Sequence, residues 1–161
     1  MKNTLSIKNA QLKWRNFSGR KGDFNPAGRR LFCVLLDDAD AKRLKNDGWN
    51  IKWTKPNPRD PLDDPQAFME VKVSYSKIPP EIWQITEDGK TLFTEKTIHI
   101  LDWAEIQYVD LEINPYSYDV QGRKGLSAYV KKMFVTIVED EFEKKYRNVP
   151  EATSDSDGDL P

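Results

Sequence analysis

Eight cations and six aromatic rings are spaced along this chain so that they could grip a polyanion and stack on flat heterocycles. Arg15, Phe17, Arg20, Lys21, Phe24, Arg29 and Arg30 fall in one glycine-punctuated stretch. Between residues 13 and 30, Asp23 is its sole opposing charge. Tyr116, Tyr118, Arg123, Lys124, Tyr129 and Lys131 form a second such stretch, opposed only by Asp119. Trp53 adds a further ring. Cations track a phosphate backbone, and ring faces accept unpaired bases. The pattern points to a binder of single-stranded nucleic acid with little sequence preference. The plainer reading is a solvated loop whose rings turn into the core, since most charge runs are only surface.

Other chemistries find little support. Cys33 is the single cysteine and His99 the single histidine. An intramolecular disulfide, a thiolate metal cluster and a Ser-His-Asp triad are therefore not expected. Asp37, Asp38 and Asp40 could hold magnesium in a nuclease, but they lie where a helix cap is expected and lack a partner motif. The expectation is no enzyme, no catalytic residue, no metal and no cofactor.

The net charge of -1 hides a polarity. Residues 151–161 contain four acidic residues and no basic one, so the body holds 25 basic against 22 acidic residues, a balance of about +3. Sign asymmetry of this kind says more about partners than the isoelectric point does. The N-terminal residues contain no apolar signal region, and no run of eighteen apolar residues occurs. A soluble, cytoplasmic protein that touches no membrane is expected.

These residues need elements to position them. Leu5, Ile7, Leu12 and Trp14 alternate as a half-buried strand does, with a bulge at Asn9-Ala10. Leu12 and Trp14 should point inward, leaving Lys13, Arg15 and Phe17 on the other face. After the glycine-rich loop, residues 30–36 read as a central strand with Cys33 in the core. Residues 38–48 read as a helix capped by Asp38 and closed by Gly48. Trp49, Ile51 and Trp53 share one face of the next strand and favour the core over a stacking platform. Four prolines make residues 56–65 a surface connection.

Residues 68–75 alternate cleanly, with Met69, Val71, Val73 and Tyr75 opposed by Phe68, Glu70, Lys72 and Ser74. Asp88-Gly89 signals a hairpin. Ile98, Ile100 and Leu101 should continue the sheet, with a turn at residues 102–105. A strand over 108–113 should break at Asn114-Pro115. Residues 121–125 should form a second basic hairpin loop, and 140–146 a short helix. The length suits one domain, residues 1–147, followed by a disordered acidic tail over 148–161. The fold class is mainly β, an antiparallel OB-type barrel with long hairpin arms and one or two short helices.

The residues also resemble a known family. Arg15-Asn16-Phe17-Ser18-Gly19, Gly28-Arg29-Arg30-Leu31-Phe32-Cys33-Val34, Asp47-Gly48-Trp49-Asn50-Ile51-Lys52, Ile100-Leu101-Asp102-Trp103-Ala104-Glu105-Ile106 and Ile113-Asn114-Pro115-Tyr116 look like small single-stranded DNA-binding proteins of tailed bacteriophages. The resemblance covers about residues 2–146. It implies an OB-type fold, single-stranded DNA as partner, and a role in phage DNA replication or recombination in the host cytoplasm. The tail is similar to the acidic tip of bacterial single-stranded DNA-binding proteins, which recruits replication and repair enzymes. Asp155, Asp157, Asp159, Leu160 and Pro161 would carry that contact, without the phenylalanine that ends the bacterial tip. A homodimer stays open. So does the alternative of a protein-interaction factor, such as a phage inhibitor of a host enzyme or a recombinase accessory protein. Tyr, Trp and Arg suit either surface.

Overall fold

The computed structural model describes residues 3–23, 25–76, 78–147 and 149–152. Phe24 and the tail residues Asp155, Asp157, Asp159, Leu160 and Pro161 lie outside them. Ten elements of the fold belong to, or directly brace, one curved sheet. In chain order they are β1 (Leu5–Ile7), β2 (Leu12–Asn16), β3 (Arg30–Leu36), helix α1 (Asp38–Asn46), β4 (Ile51–Trp53), β5 (Ala67–Val73), β6 (Glu81–Thr86), β7 (Gly89–Leu92), β8 (Ile106–Val120) and β9 (Arg123–Ile137). A 3-10 turn (Ile98–Asp102) precedes β8, and α2 (Glu141–Tyr146) follows β9.

The sheet runs β1-β8-β9-β5-β3-β2. Its neighbours are antiparallel except β5 with β9, and β6, which adds to β9 in parallel. Among the described residues no continuous ladder closes it. The N-terminal segment instead spans its two ends, with β1 on β8 and β2 on β3. Between them Asn9 takes a left-handed φ of 53°. Ala10 N–H donates to the Val109 carbonyl at 2.8 Å, and Leu35 N–H donates to the Gln11 carbonyl at 3.0 Å. The result is a mainly β, barrel-like sheet, as expected, in which one broken strand serves two ladders.

Inside it, alternation selects the core. Phe32 and Val34 from β3, Met69 and Val71 from β5, Leu111 and Ile113 from β8, and Met133 and Val135 from β9 are buried together. The expected strand at Ile98, Ile100 and Leu101 is a 3-10 turn. Ile98 and Leu101 are fully buried while Ile100 is exposed. A three-residue spacing of buried positions fits three residues per turn, and the pair plugs the barrel.

Four other expectations change. Asp37, not Asp38, caps α1, its Oδ1 accepting the Asp40 N–H at 2.7 Å. Asn114-Pro115 does not end its strand, because β1 pairs with β8 only at residues 111–113. Beyond Ile113 one edge of β8 has no strand partner among the described residues, and a residue without an N–H is tolerated there. Trp49 is buried as expected, but Trp53 is 39% exposed. The basic loop at 121–125 shrinks to the two-residue turn Gln121-Gly122, both with positive φ, so that Arg123 and Lys124 already belong to β9.

Candidate nucleic-acid interface

The largest correction concerns β2. Trp14 adopts a φ of 52°, and the register with β3 shifts between Lys13 and Asn16. A bulge turns the side chains that follow it. Trp14 therefore stands outside, 49% exposed, and Phe17 is fully buried, stacked on Phe32 with ring centroids 5.0 Å apart. Phe17 has no free face for a base.

Two more residues of the first basic stretch serve the fold. Arg15 Nη1 donates to the carbonyls of Leu101 and Ala104 at 2.9 and 2.8 Å, tying β2 to the 3-10 turn. Arg30 packs over the Tyr75 ring and faces Glu95 at 3.4 Å, its side chain mostly covered. The Asp102 carboxylate, with its side chain buried, accepts the N–H groups of Phe17 and Ser18 and lies 3.8 Å from Arg20 Nε. Arg20 also lies over the Trp103 ring, while Lys21 is exposed.

Arg29 reaches outward. Its Nη2 lies 3.9 Å from Glu70 Oε2, on the outer face of β5. That face holds a groove of about 480 Å³ lined by Trp14, Trp53, Phe68, Arg29, Glu70 and Cys33. Trp14 meets Phe68 edge to face, with centroids 5.2 Å apart. Lys13 lies 5.1 Å from the Trp14 centroid and Lys45 5.1 Å from that of Trp53. Lys52 Nζ is 3.1 Å from Glu70 Oε1. Cys33 is buried but outside the core cluster, on the ladder row Lys13, Cys33, Glu70 that crosses β2, β3 and β5. Burial, then the negative charge of Glu70, pushes its thiol pKa up to about 11, with Lys52 opposing.

The band of rings continues onto β9 and β8. Lys72, two residues beyond Glu70, lies 5.6 Å from the centroid of Tyr129, its ladder partner. Tyr129 meets Tyr116 edge to face at 6.0 Å, and both line a cleft of about 360 Å³ with Lys131. Lys131 Nζ is 4.0 Å from Glu112. Tyr118 lies flat across Gly125, where an added Cβ would stand 2.6 Å from the hydroxyl oxygen. A side chain there would collide with the ring.

The two basic stretches do not sit side by side. Arg30 pairs with Val73 at the end of β5, whereas β9 runs parallel to β5 and pairs only at Ala128 and Tyr129, opposite Val71 and Lys72. The turn at 121–122 therefore lies toward the Ala67 end. There β4 pairs with β5, while Trp49 bridges to Leu126 and holds the arm of β8 and β9 apart from β5. Arg123 and Lys124, both exposed, mark one end of the face and Arg29 the other. Between those ends lie Trp14, which the sequence analysis turned inward, and Phe68, which it left unassigned, with Lys13, Lys45, Lys52 and Lys72. Phe68 was legible as the one ring on the polar side of an alternating strand. Trp14 was not.

Among the described residues, no group of three or more His, Cys, Asp or Glu side chains could hold a metal ion. Asp37 is engaged as a cap, and Asp40 pairs with Arg43 at 3.0 Å. No helix of the described residues is long and apolar enough to cross a membrane.

Residues 1–159 match the family described as "Putative phage ssDNA-binding domain". The chain belongs to this family. Comparison with curated proteins gives no match. Among solved structures, the chain is similar to the single-stranded DNA-binding protein from bacteriophage Enc34 in complex with ssDNA, at 11% identity and a TM-score of 0.53. That match covers 86% of this chain and 89% of the other. A further structure of the Enc34 protein matches with a TM-score of 0.51 at 12% identity, over 95% of this chain and 89% of that one. At such identities the likeness is one of fold, and this phage ssDNA-binding family member shares it over nearly its whole length.

Proposed function

We propose that this phage ssDNA-binding family member holds its strand along the outer face from Arg29 to Lys124. Bases stack on Trp14, Trp53, Phe68, Tyr129 and Tyr116, and phosphates meet Lys13, Arg29, Lys45, Lys72, Lys131 and, at the ends, Arg20, Lys21, Arg123 and Lys124. The observation that carries this reading is a groove framed by cations that gathers three rings, Trp14 and Trp53 exposed and Phe68 half-buried, on a sheet whose interior is apolar. Stacking of this kind contributes about 1–3 kcal/mol per base and tolerates any sequence, because every base has a π-face. The protein coats or presents the strand and is not an enzyme, acting in phage replication or recombination in the host cytoplasm. Titration of tryptophan fluorescence with poly-dT tests the reading. Quenching that Trp14→Ala and Phe68→Ala weaken supports it, and unchanged affinity in both variants overturns it.

One observation favours a second, protein-directed role. Trp103 is 74% exposed and lines a different cleft, with His99, Ile100 and Arg147. A ring so exposed outside the groove suits a protein contact.

A further inference from the structure

The groove contains one group that phosphate binding does not require. Glu70 stands on the central strand of the face, among Trp14, Trp53 and Phe68, with Arg29 and Lys52 on either side of its carboxylate. An anion is misplaced in a groove that only gathers phosphates. The two cations reduce its repulsion of a nucleic acid, and they hold it in one place. A carboxylate offers about four lone-pair sites on two oxygens, so these contacts leave acceptor capacity free. What a strand stacked on the rings brings to that capacity is the pairing edge of a base.

Base edges differ sharply toward a carboxylate. Guanine presents its ring N1–H and its 2-amino group side by side, two parallel donors that match two carboxylate oxygens. Cytosine and adenine present one amino donor beside an acceptor nitrogen. Thymine presents one N–H flanked by two carbonyl oxygens that a carboxylate repels. We propose that Glu70 makes the groove base-selective, with guanine the preferred occupant and thymine the least favoured. The face then combines sequence-tolerant stacking with one discriminating position. This inference rests on the reading of the face as the DNA site.

The test compares three oligonucleotides of one length by fluorescence titration: all thymidine, the same with one central guanine, and the same with one central hypoxanthine. Hypoxanthine keeps N1–H and lacks the 2-amino group. A bidentate contact is worth roughly fivefold to a hundredfold in discrimination. The guanine strand should bind the unaltered protein at least about fivefold more tightly than the thymidine strand, within that range, with hypoxanthine between. Glu70→Gln should bind all three equally. Equal affinities for the three strands in the unaltered protein overturn the inference, and so does a guanine preference that survives Glu70→Gln. If that variant does not fold, the unaltered protein still decides, since hypoxanthine binding as tightly as guanine removes the bidentate contact. Failure of every strand to bind would overturn the DNA-site reading itself, a different result from binding without preference.

Discussion

The Asp102 carboxylate accepts the Phe17 N–H through Oδ1 at 2.5 Å and the Ser18 N–H through Oδ2 at 3.2 Å. One buried side chain on the barrel plug thus fixes the point where β2 becomes the basic loop.

Asp102→Ala should leave two covered N–H groups without an acceptor, each costing about 1–3 kcal/mol. A fall of about 2–6 kcal/mol in unfolding free energy is expected, read from the urea midpoint. DNA affinity should drop with it, because Arg29 leaves the same loop. A variant as stable as the parent would show that Asp102 does not anchor the loop.

Phe17→Ala and Phe68→Ala should separate core from interface. The first opens a cavity beside Phe32 and should cost about 3–5 kcal/mol of stability. The second removes a partly covered outer-face ring and should shift affinity for poly-dT by about 1–3 kcal/mol, with a smaller change in melting temperature. Similar melting losses in both would contradict the side-chain reversal at Trp14.

The salt dependence should sort the arginines. Arg29→Ala should flatten the slope of log affinity against log salt by about 0.7, the value for one phosphate on a single strand. Arg30→Ala, which removes a packed group over Tyr75, should lower stability and leave the slope within error. The opposite assignment would place Arg30, and not Arg29, against the strand.

Cys33 carries a pH prediction. Its thiol titrates near 11 in the fold against 9.0 for the free group, because burial and then Glu70 disfavour the thiolate. Between those values the folded state retains the proton that the unfolded state releases, so this contribution is complete below about pH 9 and is lost as pH rises toward 11. Alkaline unfolding of Cys33→Ala should be less steep than that of the parent over this window. Identical profiles would mean that the thiol ionises equally in both states.

Much of the architecture was visible in residue types. The alternation over 68–73, Asp88-Gly89, Gly48 and the apolar run over residues 31–36 of β3 each declare a strand, a turn or a cap through local chemistry. The spacing of Ile98 and Leu101 carried its own message as well, since buried positions three apart suit a tight helix better than a strand. The site was less legible. Trp14 adopts a conformation that no propensity assigns to tryptophan, and it exchanges places with Phe17 only because the ladder with β3 slips. Pro115 reads as a breaker until the lack of a neighbour beyond Ile113 is known. Both are consequences of what lies across the sheet, which a single strand does not encode.

The seam at residues 8–11 has a mechanical consequence. The hoop of strands is fastened there by a covalent bridge carrying two backbone hydrogen bonds, where its other joints are strand ladders, the shortest of them the two-residue pairing of β5 with β9. Amide exchange at Ala10 and Leu35 should therefore report how this joint opens, and a strand of DNA laid across β3, β5 and β9 would leave it without a splint.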